Sequence, residues 1–439
     1  MAIHETPQGT TPDLDQLKRQ AKELVRAHGV GDTQARQRVA RALPKLAGTS
    51  WDRTAGFRAR LTDAQLVIAR ERGFDSWPKL KAYADTGEGG LPPFRRAVLA
   101  VVDGDIQTLR ALLQADPQLI TERSPERHRA QLLHYVAVNG VENELQRTPP
   151  NAVEICRLLL DAGAEVDSPC ETYGGGPNQT TMNLLVSSAH PHLAGLQSVL
   201  VEALIDGGAA IDGPRGDNAP LRTALQFGYP EAAETLTRRG ASVDALDLAA
   251  GLGRTDLMAV LLENGANSAA PEGSGPNDNG PKSAQDWRPS AQGGHFDAFV
   301  LACRNGRTES AGYLLERGVD IDALSDGGGT GLHEAILWNR HEVVHLLLER
   351  GADAAILHGR WQATALDFAS YNGRTECVKL LLANGASDLD EALVSAAGQG
   401  HLEIAQLLLA AGADPVSARD RALKGNDETM VALLRGAQM

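Results

Sequence analysis

Aromatic side chains are scarce in this sequence: Trp, Tyr and Phe together make up 4% of 439 residues. A core with so few rings has to be assembled from small aliphatic groups packed at close range. Cysteine is scarcer still, with four copies whose spacing fits neither a zinc cluster nor a disulfide framework. Cys156, Cys303 and Cys377 stand where helices carry small apolar residues and read as reduced core thiols, while Cys170 stands in a loop and acquires no role. No run of about 20 apolar residues occurs, so no membrane span is expected. Met1 to Asp13 lacks the basic-then-apolar pattern of an export signal, which points to the cytoplasm. Strong positive charge is missing too. The formal net charge is −14; residues 1–90 hold 15 Lys+Arg against 11 Asp+Glu, and the rest of the chain holds 27 against 45. A surface that acidic repels phosphate backbones, so nucleic acid is not an expected partner.

What is abundant is Ala, Leu and Gly, and they recur in order. An apolar triplet, one or two residues and then Gly-Ala repeats along the chain: Leu158-Leu159-Leu160 to Gly163-Ala164, Leu346-Leu347-Leu348 to Gly351-Ala352, Leu380-Leu381-Leu382 to Gly385-Ala386 and Leu407-Leu408-Leu409 to Gly412-Ala413 are the clearest copies. Looser ones end at Gly208, Gly240, Gly265 and Gly318. Three of the seven spacings between these glycines are 32 to 34 residues, the length of one repeat; 45 and 53 imply inserted loops, and 25 and 27 shortened turns. Each period predicts two short helices, neither able to bury its apolar stripe alone, so that neighbours must stack. The glycine stops the second helix in the left-handed conformation, and a following Asp or Asn enters a tight turn.

The first helix of each period tightens the assignment. Thr330-Gly331-Leu332-His333-Glu334-Ala335, Thr364-Ala365-Leu366-Asp367-Phe368-Ala369 and Leu133-His134-Tyr135-Val136-Ala137 resemble the Thr-Pro-Leu-His-x-Ala signature of the ankyrin repeat, with Ala219-Pro220-Leu221-Arg222 a looser copy. The resemblance covers about three quarters of the chain. It implies an all-α solenoid of about nine to ten helix-pair units with short finger turns, over residues 94–439. Three insertions are expected to interrupt it, at 141–151, 168–179 and 268–294; loops of that length are functional or disordered. Before the solenoid, 1–12 is expected to be a flexible N-terminus and 13–87 a separate helical module, with Leu14, Leu17, Ala21, Leu24 and Val25 on one helical face. Its Gly73-Phe74-Asp75-Ser76-Trp77-Pro78 segment is similar to a leader found on bacterial ankyrin proteins, which implies a bacterial source.

Few residues carry chemistry. His341-Glu342-Val343-Val344-His345 has the His-Glu-x-x-His form of a zinc site. It also resembles the Glu-Val-Val-Lys-Leu-Leu-Leu second helix of an ankyrin unit, and no third ligand follows at a suitable spacing. No metal and no cofactor are therefore expected, and no catalytic residue is assigned. His134 and His333 occupy the signature histidine, which the resemblance assigns to tying backbone between units, and Asp367 fills the same slot.

What stands out is the set of slots that, by the resemblance, face the concave groove. They hold Arg304 and Asn305; Glu334, Leu337 and Trp338; Phe368, Tyr371 and Asn372; and, upstream, Tyr135, Gln226 and Phe227, while the finger before Tyr371 adds His358, Arg360 and Trp361. Aromatics and arginine are favoured at interface centres. The reading is a protein- or peptide-binding scaffold centred on repeats six to eight, its acidic surface selecting a basic partner. The alternative is a small-molecule or enzymatic pocket where the insertions roof the groove.

Overall fold

The computed structural model describes residues 14–43, 58–71, 74, 76–86, 91–126, 128–142, 145–172, 179–264, 294–425 and 427–437. The expected flexible start, nearly all of the 268–294 insertion and the middle of the 168–179 insertion lie outside these residues. Among them are 25 α-helices and one isolated bridge, between Cys170 and Gln179, but no strand. None of these helices is long and apolar enough to cross a membrane.

The chain forms two compact units, residues 1–210 and 211–439. The first opens with α1 (Leu14–Gly29), α2 (Thr33–Ala42), α3 (Leu61–Glu71) and α4 (Trp77–Thr86). These share a core of their own built from Leu17, Ala21, Leu24, Val39, Val67, Ile68, Phe74 and Leu80. Three helix pairs follow: α5 (Pro93–Asp103) with α6 (Ile106–Ala115), α7 (His134–Ala137) with α8 (Ala152–Asp161), and α9 (Thr181–Leu185) with α11 (Gln197–Asp206), the short α10 (Ala189–Leu193) lying between the last two.

The second unit is seven consecutive pairs: α12 (Ala219–Gln226) and α13 (Pro230–Arg238), α14 (Leu246–Leu252) and α15 (Thr255–Glu263), α16 (Gly294–Arg304) and α17 (Thr308–Leu315), α18 (Gly331–Leu337) and α19 (His341–Glu349), α20 (Ala365–Tyr371) and α21 (Thr375–Ala383), α22 (Leu389–Gln399) and α23 (Leu402–Ala410), and α24 (Pro415–Lys424) and α25 (Glu428–Gly436). In α19, Val343, Val344, Leu347 and Leu348 make the buried stripe, at helical spacing. Each such side chain taken out of water stabilises the stack by about 1.5–3 kcal/mol. The helix stops where Gly351 turns left-handed and the Ala352 N–H returns to the Leu347 carbonyl.

A polar device joins one unit to the next. In four consecutive units the residue opening the second helix reaches back to a carbonyl at the end of the preceding unit's first helix. Arg307 donates to the Gly251 carbonyl (3.2 Å), Arg340 to that of Arg304 (3.0 Å), Arg374 to that of Leu337 (2.7 Å) and His401 to that of Tyr371 (3.3 Å). These are carbonyls that a helix end leaves without an internal partner. Gly253 and Gly306 lie under the arginine stems, with a Cβ there 3.2 Å and 3.1 Å from the next Cδ.

The pattern breaks at α15. Arg254 turns to Asp256 at the surface (2.8 Å), and the Gly228 carbonyl is taken instead by Arg340, 112 residues downstream (2.9 Å). Arg304 likewise donates to the Gln226 carbonyl, and Asn305 to that of Leu225. The C-terminal ends of α12, α16 and α18 therefore converge.

Candidate functional site

That convergence consumes much of the surface expected to bind. Arg304 sets its guanidinium against Glu334 (3.0 Å), and Asn305 is buried against two carbonyls. Trp338 lies edge-on to Tyr229 (6.1 Å between centroids) and so close over Gly228 that a Cβ there would meet the indole at 2.4 Å. Gln226, Phe227, Leu337 and Asn372 are half-buried, the last donating to the Phe368 carbonyl (2.8 Å).

Five residues expected at exposed positions are buried: Asn305, Glu334, His358, Phe368, which lies under Trp361, and Tyr135, the last only 1% exposed. For Asn305 and Glu334 the reason is the converging helix ends. For Tyr135 it is the finger ahead of it, whose His128 packs edge-on against the ring (5.9 Å) and also contacts Glu142 (3.2 Å). His358 is covered by its own finger.

That finger forms the surface that remains. Asp353 caps its start by accepting from the Ala355 N–H (2.8 Å). The Gly359 N–H bonds the Gly328 carbonyl of the preceding finger (2.6 Å), and the chain turns back where His358 and Ala363 pair (2.9 Å). At the tip, Trp361 stacks on Phe368 (5.0 Å, 21° between planes) and on His358 (4.2 Å, 34°), with His333 edge-on behind them. Trp361 nevertheless stays 52% exposed, and Tyr371, three residues beyond Phe368 on α20, stays 53% exposed. Arg360 is also exposed, and so are Leu324 and Leu357 on consecutive fingers. Trp361, held by packing and open to solvent, makes a rigid apolar contact area, and Tyr371 adds a second open ring.

The histidines of the signature work inside the stack. His333 accepts from the Thr330 N–H (3.3 Å) and donates to the Ala363 carbonyl (3.3 Å); His134 accepts from the Gln131 N–H (3.1 Å) and donates to the Ser168 carbonyl (2.9 Å). Both therefore join one unit's helix to the next unit's finger. Asp367 instead sends its carboxylate toward Ser395, and burial pushes it above its ordinary range.

Burial lowers His134 and His333 to about 4, more than their carbonyl bonds raise them. The sign of the pH effect follows. The unfolded chain binds these protons near pH 6.5 and the folded one only near pH 4, so stability is complete above about pH 6.5 and falls as pH drops toward 4. The loss expected is on the order of 3 kcal/mol per histidine, read as a shift of the urea midpoint measured from pH 7 to pH 4.5. A His333→Gln variant that keeps the wild-type pH slope would remove His333 from this account.

His341 and His345 lie on the exposed side of α19, and each ring faces a carboxylate of its own helix, Glu342 (3.0 Å) and Glu349 (3.4 Å).

A larger cleft, about 1010 Å³, lies in the first unit. Two ion pairs lie in its lining, Arg38 with Glu71 (2.7 Å) and Arg95 with Glu142 (2.6 Å). Burial would raise Glu142, but His128 and Arg95 hold it at about 2.

Stacked helix pairs, left-handed glycine stops and finger turns define a repeat scaffold, and the comparisons agree. Residues 299–348 and 332–382 match the family of ankyrin repeats in many copies, and residues 390–421 match the single ankyrin repeat. The ankyrin repeat and KH domain-containing protein mask-1 of Caenorhabditis elegans is 31% identical over 370 residues, which is 72% of this chain and 13% of that protein. The B-cell lymphoma 3 protein homolog of Mus musculus is 34% identical over 127 residues, 27% of this chain and 28% of that one. A putative ankyrin repeat protein of Fowlpox virus is 32% identical over 125 residues, 27% and 29% of the two chains. The chain thus spans less than a third of the length of these relatives. It is an ankyrin-repeat protein.

Proposed function

We propose that the chain is a protein- or peptide-binding scaffold whose contact surface is the finger at 353–363 together with the exposed end of α20. The observation that carries this is Trp361: stacked on two rings and still half open, in a chain with few aromatics. A stacked ring loses little freedom on binding, so the apolar area it covers is available as affinity. Acidic fingers on either side bias the surface toward a basic partner.

The anchors differ from those expected. Trp338 is spent on Tyr229 and Gly228, so Trp361 replaces it beside Tyr371. Glu334, the acid group of the pocket alternative, is likewise committed to Arg304.

Trp361→Ala with Tyr371→Ala is expected to abolish capture of partners from a cell lysate without changing helical content. Recovery of the same proteins at undiminished yield by the double variant would place the binding surface elsewhere.

A further inference from the structure

The finger carrying Trp361 contains one basic side chain, Arg360, and the fingers beside it contain none. Asp320, Asp322 and Asp326 stand on the preceding finger, and Asp388, Asp390 and Glu391 on the following one and the first turn of α22. Both neighbours are tied to the Trp361 finger. Gly328, two residues past Asp326, accepts from Gly359; Asp388 accepts from the Thr364 hydroxyl (3.2 Å), three residues past Trp361. Asp326 is exposed and Asp388 half-buried. The indole is covered by Phe368 and His358 while half its area stays in solvent. An open indole attracts a cation through the negative face of its ring, and neighbouring carboxylates strengthen that attraction.

We infer that the surface reads a cationic side chain, arginine or lysine, in an extended basic segment of a protein partner, laid on the open face of Trp361 between Asp326 and Asp388. The inference rests on the binding role proposed above and narrows it to a chemistry. Like charge disfavours an acidic segment. Arg360 competes for the same carboxylates from within the chain. Its removal is therefore expected to strengthen binding.

The test uses the full chain and short fluorescein-labelled Gly-Ser peptides carrying arginine, lysine, glutamine or glutamate, with affinity read by fluorescence anisotropy at fixed salt. Arginine and lysine peptides should bind and the other two should not. Trp361→Ala should weaken binding about tenfold and Trp361→Phe by less, because indole is the better cation acceptor. Asp388→Asn should weaken it severalfold and Arg360→Glu should tighten it severalfold, whereas Asp256→Asn, on an outer helix, should change nothing. The two aspartate variants and Arg360→Glu leave the ring stack in place, so they decide the matter even if Trp361→Ala loosens the finger.

Equal binding of the glutamine peptide would overturn the inference. So would indifference to both Trp361→Ala and Arg360→Glu, or light scattering showing that this face pairs two copies of the chain. If the lysate experiment loses its partner while no basic peptide prefers the wild type, the binding role stands and the cation reading falls. If capture survives in the double variant, both fall.

Discussion

Asp247→Ala is expected to destabilise the second unit by about 3–5 kcal/mol. Asp247 has no exposed surface, and its carboxylate meets the guanidinium of Arg222, itself buried. The two residues stand in the histidine slot of consecutive first helices, α12 and α14. Where other units join through an imidazole and a backbone carbonyl, this pair joins through opposite charges.

Removing one partner does more than delete a contact. It takes from the buried Arg222 guanidinium the carboxylate it meets there, and a buried charge that loses its counter-ion costs several kcal/mol. Taking both charges away has the opposite expectation. Arg222→Met with Asp247→Leu fills similar volume, needs no counter-ion and should be neutral or stabilising. The urea midpoint of the single variant should drop steeply with an unchanged slope, and that of the double should return to the wild-type value or beyond. A loss below about 1 kcal/mol in Asp247→Ala would mean that water reaches the site and screens it.

The repeat architecture was legible in the sequence because it is written many times. A stripe of Val343, Val344, Leu347 and Leu348 ending at Gly351 has one physical solution, and the next unit repeats it with Cys377, Val378 and Leu381 ending at Gly385. The binding surface was only half legible. The slot pattern puts Trp338 and Tyr371 in neighbouring slots of successive units, Trp338 matching Asn372 and Leu337 matching Tyr371, and of the two rings only Tyr371 is open. What separates them is Gly228, 110 positions before Trp338, which leaves room for the indole. Sequence spacing carries no trace of that contact, because α12 reaches α16 and α18 past an intervening helix pair. Gly251 permits that reach: a Cβ there would stand 3.0 Å from Leu225. The Arg222–Asp247 pair, by contrast, had a readable signal. Two opposite charges in the histidine slot of adjacent units can be found by aligning the repeats with one another.

Gly331→Pro sets the local rule against the packing and is expected to destabilise the protein by about 2 kcal/mol. By local rules it should help. Gly331 is the first residue of α18, after the Thr330 cap, a position where proline's fixed φ suits the helix and its missing N–H costs nothing. The signature itself carries proline in that slot. Restricting the unfolded chain would then contribute about 0.4–1 kcal/mol.

The packing opposes this. A Cβ on Gly331 would lie 2.6 Å from one ring carbon of Phe299, 3.0 Å from another and 3.2 Å from the Cys303 sulfur. Phe299 and Cys303 are both fully buried in α16, so the ring has nowhere to retreat. Overpacking of this kind typically costs about 1–3 kcal/mol and outweighs the entropic gain. The next unit shows what relieves it: Leu332 stands there in the place of Phe299, and the slot of Gly331 is filled by Ala365, buried. Phe299→Leu with Gly331→Pro should therefore be more stable than Gly331→Pro alone, although Phe299→Leu by itself removes buried area. The double-mutant cycle measures that coupling directly. Additive losses would show that the glycine is required for its backbone rather than for the ring above it.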